Sequence, residues 1–549
     1  MPHTLFALVT AIAALGPSDK PSAPYNESIR QQDLRADLFF LAGDAFQGRL
    51  TDTPGNKLAA EFIASRFERM GLKGMGREGS YFQPFLLSTA RLGTSNKIDV
   101  PINPGLGVQF RVGKDFVPLP LSPSAGVRSS VLFAGFGMSD PKRGHDDYRN
   151  LPQQFQPIQP IVLILAHEPG ENDPKSPFDG LVMSEASLPL RKVLAAQEKG
   201  ASGVLIVTDV HNHPEPENFE ALAHSIWPDK PPRIPQYTLK DWIDQIHIPV
   251  AMISRELAQT ILRVDKADLE EIARAGEHRR EGWDAMPQYI ASLDTDVIHH
   301  TVPDRNVVAA IVGCDPKLKD EWVIISCHVD HNGADGNQIF NGADDNGSGV
   351  AGLLEIAEAY SLAARQGHRP KRSVMFIAFN SEERGLLGAY AFTEHPLVPL
   401  EKIVAVLNMD MIGRNEEVPL GGGPQFHGLA VQTAESNRNA LNLLGYSYTP
   451  SLAKVVEQAN DPFGLTLKQN LDNNASNLLR RSDHWPFLQR GVPAVFIHTG
   501  LHPDYHTTAD RPEKIEYAKM KHRPPGPPGK LAPRPGARPT EGGTEDRRG

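Results

Sequence analysis

The stretch EWVIISCHVDHNG (321–333) joins an apolar, β-branched run directly to histidine and aspartate residues. The same succession recurs in SVMFIAFNSEE (373–383), in IVAVLNMD (403–410) and after AVFIH (494–498). Short apolar runs of this composition are typical of buried strands. A helical pattern over residues 348–364 lies between the first two of them. This alternation predicts an α/β fold in which a mostly parallel mixed sheet is sandwiched by helices.

Metal-type side chains follow these predicted strands at their carboxyl ends. In parallel sheets the carboxyl ends of the strands meet at one edge, where ligand sites form. Four of the clusters therefore belong at one edge, and a fifth lies in a Gly-rich turn just before the long helix. The candidate ligands are His328, Asp345, one of the adjacent pair Glu382 and Glu383, Asp410, and His506.

The mixture of imidazole and carboxylate groups favours zinc, because calcium and magnesium prefer oxygen ligands alone. A single catalytic zinc takes three protein ligands and a water molecule. Two histidines and three carboxylates exceed that number. Two ions about 3.5–4 Å apart that share one carboxylate would use all five. The sequence therefore predicts two Zn²⁺ per chain and metal-assisted hydrolysis.

Two further carboxylates are expected to support this site. Asp330 lies two residues beyond His328, on the same side of an extended segment, so its carboxylate should accept the second imidazole N–H. Glu382 and Glu383 are adjacent and must point differently, so one can bind metal while the other acts as a base. Other nearby histidines are interpreted as structural residues or as partners of the ligands: His331, His484, His498 and His502.

The chain has 549 residues, enough for several domains. Residues 28–125 are interpreted as the N-terminal part of the catalytic domain, which resumes over residues 291–521. Residues 126–290 alternate short strands with loops rich in Pro, His and Asn, and they predict an inserted β-rich domain. The histidines of its HNHPEPE segment, His211 and His213, are of a type that can bind metal, but they are interpreted as part of a solvated loop.

The two ends of the chain have a different character. The apolar run LFALVTAIAAL (5–15) is too short for a membrane-spanning helix, which needs about 20 residues. It fits the hydrophobic part of a signal peptide over residues 1–20, so we expect a secreted or periplasmic protein. We expect no other transmembrane segment. Residues 522–549 are rich in Pro, Gly and Arg, and this composition predicts disorder.

Charge and cysteine content limit the alternatives further. The net charge of −10 argues against a nucleic-acid surface, which needs clustered positive charge. Cys314 and Cys327, the two cysteines of the chain, end successive predicted strands. In a hairpin they would lie near opposite ends and beyond bridging distance, so we expect two free, buried thiols.

The motifs together resemble the dizinc aminopeptidases, a family of zinc exopeptidases that also includes glutamate carboxypeptidase and the transferrin receptor. The inserted domain is similar to the protease-associated domain found in that family. Six segments carry the resemblance and span most of residues 306–510: CHVDHNG (327–333), IFNGADDNGSGVAGLLEIA (339–357), FNSEERGLLGA (379–389), NMDMIG (408–413), SDHWPF (482–487) and DYHTTAD (504–510).

The resemblance implies which ligands share an ion. Asp345 would bridge the two zinc ions, and the peptide bond that follows it would be cis. The other metal ligands would be His328 and Asp410 at one ion, and Glu383 and His506 at the other.

The resemblance also implies the catalytic roles. Glu382 would be the general base that deprotonates a water bridging the two ions, and the resulting hydroxide would attack the peptide carbonyl. Tyr505 would donate a hydrogen bond to the developing oxyanion. Glu382 would then protonate the leaving amine.

The leading reading is an aminopeptidase that removes N-terminal residues from peptides. A carboxypeptidase or dipeptidase of the same family is the first alternative, because motif spacing does not locate the residues that set specificity. A glutaminyl cyclase-like acyltransferase would bind a single zinc and would not need all five ligands. A non-enzymatic, receptor-like domain would have lost ligands, and this sequence keeps them.

Overall fold

A computed structural model describes residues 25, 28–103, 106–149, 159–215, 217–278 and 289–521. The predicted signal peptide and the predicted disordered tail lie outside these residues. No helix in the described part of the chain is both long and apolar enough to cross a membrane.

The larger sheet is the mixed α/β sheet that the sequence predicts. Its four central strands run parallel, but the strands beside them pair mainly antiparallel, so "mostly parallel" holds only for the centre. The strands Phe82–Leu92 and Val297–Ile311 are antiparallel because the chain runs along the first into the inserted domain and returns along the second. In the described residues its strands are, in spatial order, Thr238–Leu239, Phe82–Leu92, Val297–Ile311, Ser373–Phe379, Trp322–His328, Ile403–Met409, Ala494–His498, Ala440–Leu444 and Thr466–Lys468, with Lys73–Gly74 paired to Val297–Ile311.

Helices cover both faces of this sheet with apolar side chains. The helix Pro54–Met70 shows how the sequence sets their ends: the Thr53 side chain caps its first turn, and Gly71 ends it in the left-handed conformation. The helix Gly349–Arg365 is largely buried and packs directly on the sheet. The helices on one face are Gln31–Leu41, Pro54–Met70, Gly349–Arg365 and Pro450–Asn460, and those on the other are Leu387–Glu394 and Trp485–Gln489.

A second sheet forms the inserted domain, and it begins earlier than the sequence suggested. The predicted boundaries at residues 125 and 290 are wrong, because Lys97–Asn103 and Tyr289–Thr295 pair with each other inside this sheet. The two sheets meet where the Gly93 N–H donates to the Asp296 carbonyl oxygen at 2.8 Å. Among described residues its strands are, in spatial order, Leu106–Gln109, Lys97–Asn103, Tyr289–Thr295, Ala125–Phe133, Ile161–Leu165, Gly203–Val207, Val250–Ile253 and Phe116–Pro118.

The helices of the inserted domain follow its parallel strands. The domain contacts the larger sheet through the short strand Thr238–Leu239, which pairs with Phe82–Leu92. Its likeness to a protease-associated domain stays a prediction. The helices of this region, with the last helix of the described chain, are Pro189–Glu198, Phe219–Ile226, Lys240–Asp244, Arg255–Leu262, Lys266–His278 and Tyr517–Met520.

The two cysteines are free, but only one is buried. Cys327 lies inside the central strand Trp322–His328 and is completely buried. Cys314 is exposed, because its strand already ends at Ile311 and the chain turns outward before reaching it. The prediction of two buried thiols is therefore wrong for Cys314.

Candidate metal centre

Three neighbouring parallel strands deliver polar side chains to one edge of the larger sheet. His328 ends its strand opposite Phe379, directly after which the chain turns into Glu382 and Glu383. Asp410 follows the strand on the other side. Because all three strands are parallel and in register, their carboxyl ends place these side chains together.

Asp345 reaches the same edge from the turn before the long helix. The peptide bond from Asp345 to Asn346 is cis, as the resemblance implies. The carboxylate of Asp510 accepts the N–H groups of Asp344 and Asp345 at 3.0 and 3.1 Å. Asn346 fixes the other side of the turn, since its Nδ2 donates to the Met409 carbonyl oxygen at 3.0 Å.

The five predicted ligands converge in two groups that meet at Asp345. His328 Nε2 lies 3.3 Å from Asp345 Oδ1 and 3.4 Å from Asp410 Oδ1. His506 Nε2 lies 3.0 Å from Asp345 Oδ2 and 3.2 Å from Glu383 Oε2. One carboxylate oxygen of Asp345 therefore faces each group, which is the arrangement of a carboxylate shared between two ions.

The electrostatics of these groups fit bound cations. Burial opposes the charging of His328 and His506, but the surrounding carboxylates outweigh it: they raise the pKa of His328 well above its usual value and that of His506 to about 10. Buried His328 Nε2 and Asp410 Oδ1 also have no hydrogen-bond partner among the described residues. A cluster with excess negative charge and unused ligand atoms suits zinc, which takes imidazole and carboxylate ligands.

Glu382 differs from its neighbour Glu383 in its surroundings. Burial, together with the charges of Asp410 and Glu383, raises the pKa of Glu382 well above its usual value. Glu383 instead accepts from His331 Nδ1 at 2.7 Å and from Asn332 at 3.1 Å, and its pKa is lowered because nearby imidazoles outweigh burial. The two carboxylates thus face different partners, as their adjacency in sequence predicts.

Asp330 supports the site in a different way from the one predicted. Its carboxylate oxygen lies 3.8 Å from His328 Nδ1, which is instead 3.1 Å from the Asp330 backbone carbonyl oxygen. The carboxylate accepts the backbone N–H groups of Glu382 and Glu383 at 2.9 and 3.2 Å. The strand ends at His328, so the pleat that would have placed the two side chains on one face does not continue.

Several supporting residues were missed or undervalued in the sequence. Buried Arg49 donates to the carbonyl oxygens of Val329, Asn341 and Gly342 at 2.9, 2.7 and 2.8 Å, and so ties two ligand loops to the N-terminal segment. Ser482 donates to Asp410 Oδ2 at 2.7 Å. Arg49 lies in FQGRLTD (46–52) and Ser482 in SDHWPF (482–487). Their partners are so distant in sequence that no spacing pattern indicates the contacts.

A cavity of about 300 Å³ opens over the two groups. Tyr505 lines it, and its ring stacks on the His506 ring with centroids 3.8 Å apart. Burial raises the pKa of Tyr505 well above its usual value, so its hydroxyl keeps the proton needed to donate a hydrogen bond. The apolar wall includes Leu478, Met411 and Leu501.

Replacing Asp330 with asparagine is expected to lower kcat by about 10–100-fold, the usual cost of losing a group that orients a metal site. An amide has only one acceptor oxygen, so one of the two N–H groups of the Glu382–Glu383 turn would lose its partner. The measurement is steady-state kinetics beside the exposed control Asp335→Asn. Equal kcat in Asp330→Asn and the control would contradict a positioning role.

One known protein family matches the part of the chain that carries this site. Residues 306–523 match the profile of peptidase family M28. This part of the chain belongs to that family. The matched region contains all five predicted ligands, together with Glu382 and Tyr505.

Three proteins similar to this chain share less than a third of its residues over the aligned regions. A probable glutamate carboxypeptidase of Arabidopsis thaliana is 29% identical over 213 residues, which cover 38% of this chain and 26% of that protein. An uncharacterized protein of Escherichia coli, YfbL, is 25% identical over 48% of this chain and 81% of its own length. A solved aminopeptidase from Aneurinibacillus sp. strain AM-1 aligns over 90% of this chain and 92% of its own, with 17% identity and a TM-score of 0.45. The chain thus spans about a quarter of the glutamate carboxypeptidase relative that it matches.

Proposed function

We propose that this protein is a zinc-dependent exopeptidase, and most simply an aminopeptidase that removes the N-terminal residue of a peptide. The observation that carries the proposal is the pair of imidazole–carboxylate groups that share Asp345 at the base of a cavity. Membership of residues 306–523 in peptidase family M28 supports the same chemistry. The apolar run at residues 5–15 adds the proposal that the protein acts outside the cytoplasm.

The roles of the protein side chains follow from their positions. Two bound zinc ions would polarise the scissile carbonyl and make a water molecule acidic. Glu382, held by the Asp330 contact to its backbone N–H, would take the proton of that water and return it to the leaving amine. Tyr505, at the cavity wall, would donate a hydrogen bond to the carbonyl oxygen as negative charge develops there.

The choice of an exopeptidase over an enzyme that cleaves within a chain rests on the match to peptidase family M28. The choice of the N-terminal residue rests on the resemblance to aminopeptidases. A relative in Trichophyton equinum named leucine aminopeptidase 2, 27% identical over 44% of each chain, supports it.

One observation favours the carboxypeptidase alternative. Arg480 and Arg481 both line the cavity, and an arginine guanidinium matches the geometry of a carboxylate. A substrate with a free C-terminal carboxylate could pair with them. The Arabidopsis thaliana relative, which is named a probable glutamate carboxypeptidase, supports the same alternative.

The deciding experiment measures hydrolysis by the full chain loaded with zinc. Aminoacyl p-nitroanilides with a free amino group are expected to be hydrolysed, and their N-acetylated counterparts are not. N-blocked dipeptides with a free carboxylate provide the opposite test. Hydrolysis of the blocked dipeptides alone would replace the aminopeptidase by the carboxypeptidase, and no hydrolysis of either class would overturn the proposal.

A further inference from the structure

A second cluster of metal-type side chains lies in the inserted domain, far from the strands that build the first. His167 follows the strand Ile161–Leu165, and His213 follows its parallel neighbour Gly203–Val207. Glu171 lies four residues beyond His167 in the same loop. Parallel strands again place the residues that follow them at one edge of a sheet. The interpretation of His213 as part of a plain solvated loop is therefore incomplete.

The three side chains converge on one point. His167 Nδ1 lies 2.7 Å from Glu171 Oε2, and His213 Nε2 lies 2.6 Å from Glu171 Oε1. The two ring nitrogens are 3.1 Å apart. The side chains are 34%, 12% and 41% exposed for His167, Glu171 and His213, so solvent reaches the cluster.

Hydrogen bonding alone does not account for this convergence. Glu171 Oε1 is buried and has no hydrogen-bond partner among the described residues, although His213 Nε2 is only 2.6 Å away. The His213 ring N–H is thus not aimed at that oxygen. Two protonated imidazoles with nitrogens 3.1 Å apart would repel each other. His167 Nδ1 has hydrogen-bond geometry to both Glu171 Oε2 and His213 Nε2, but one ring nitrogen carries at most one hydrogen, so the two contacts compete. A bound cation would remove this competition, and the ligand atoms of the three side chains lie close enough together to hold one.

The cluster fits a divalent cation of the zinc type. Zinc binds two imidazoles and a carboxylate at about 2.0–2.2 Å, and tetrahedral geometry at these lengths puts neighbouring ligand atoms about 3.3 Å apart. The spacings here are shorter by about 0.2 to 0.7 Å, so the side chains would have to open by that amount to admit the ion. Water would complete the coordination, because two of the three side chains are partly exposed.

We propose that His167, Glu171 and His213 form a further zinc-type cation site, separate from the peptidase centre. The ion would join the loops after two neighbouring strands of the inserted domain. The segment that starts at this site continues to the larger sheet: the Leu181 N–H donates to Asn473 Oδ1 at 2.9 Å, and Arg480, which lines the cavity, donates to the Met183 carbonyl oxygen. The site would therefore fix the start of a segment that touches the wall of the peptidase cavity.

The test compares the zinc content of three full-length chains by mass spectrometry after loading and desalting: wild type, His213→Gln and the control His211→Gln. His211 is an exposed residue two positions away in the same loop. His213→Gln is expected to hold one zinc fewer per chain than wild type, whereas the control holds the same number. Equal zinc content in wild type and His213→Gln would overturn the site and leave a hydrogen-bonded cluster.

Two additional measurements keep the result independent of folding and of the proposed function. Glu171→Gln is expected to show the same loss as His213→Gln, and circular dichroism should show that both variants remain folded. With cobalt loaded in place of zinc, His213→Gln is expected to show weaker visible absorption than wild type, whatever its peptidase activity. A loss of zinc in the control as large as that in His213→Gln would also count against the site.

Discussion

Replacing Glu382 with glutamine is expected to lower kcat by about 10³-fold, within the range that a positioned general base contributes. The Glu382 carboxylate lines the cavity, and its Oε2 lies 3.8 Å from His328 Nε2. Glutamine keeps the shape and the backbone contact to Asp330 but cannot accept the proton of a water molecule. The measurement is steady-state kinetics on whichever substrate class, aminoacyl p-nitroanilides or N-blocked dipeptides, the wild type hydrolyses.

Metal analysis of the same variant separates two roles for Glu382. With His328 and Asp410, Glu382 forms one of the groups close enough to hold an ion. If Glu382 is a base, Glu382→Gln keeps the wild-type zinc content while activity is lost. The control is Glu401→Gln, because Glu401 is an exposed residue just before the strand Ile403–Met409. The kinetics of this control should match those of wild type. More than a tenth of wild-type activity in Glu382→Gln would rule out the role of base, and a lost zinc ion would make Glu382 a ligand.

Replacing Asp345 with alanine is expected to remove both zinc ions of the peptidase centre and to abolish activity. Its two carboxylate oxygens face different groups, at 3.3 Å from His328 Nε2 and 3.0 Å from His506 Nε2. Each group would be left with two protein ligands, whereas a catalytic zinc takes three. Activity should fall by at least about 10³-fold, because metal-assisted chemistry would be lost altogether.

The comparison variant for Asp345→Ala is Asp410→Ala. Of the two ligand groups, Asp410 belongs to the His328 group, with its Oδ1 3.4 Å from His328 Nε2, so its loss should remove one ion and leave the other. Compared with wild type, the zinc content per chain should therefore be lower by one ion in Asp410→Ala and by two ions in Asp345→Ala. Identical zinc content in Asp345→Ala and Asp410→Ala would contradict the shared carboxylate.

The central part of the fold could be predicted because its strands are short, apolar and buried on both faces. The apolar runs in the stretches 321–333, 403–410 and 494–498 coincide with the strands Trp322–His328, Ile403–Met409 and Ala494–His498. The long helix was placed at 348–364 and is found at Gly349–Arg365. Buried parallel strands leave a continuous apolar signal in the sequence, and the polar residues that follow them are conspicuous.

The inserted domain was less predictable, for an equally physical reason. Its edges are set by pairing between strands almost 200 residues apart, such as Lys97–Asn103 with Tyr289–Thr295. Propensity and periodicity describe neighbours along the chain and carry no information about a partner so distant. The predicted boundaries at residues 125 and 290 were therefore wrong.

The sequence by itself determined the ligand types, their order and the strand ends that carry them, because these depend on local composition and on the geometry of parallel sheets. The resemblance already implied how the ligands pair at Asp345. Only the tertiary structure decided that the Asp330 carboxylate holds the turn at Glu382 instead of the His328 ring, and that Arg49 ties the ligand loops together. It also brought His167, Glu171 and His213 to one point. Such contacts join segments far apart in the chain, and packing alone fixes their distances and directions.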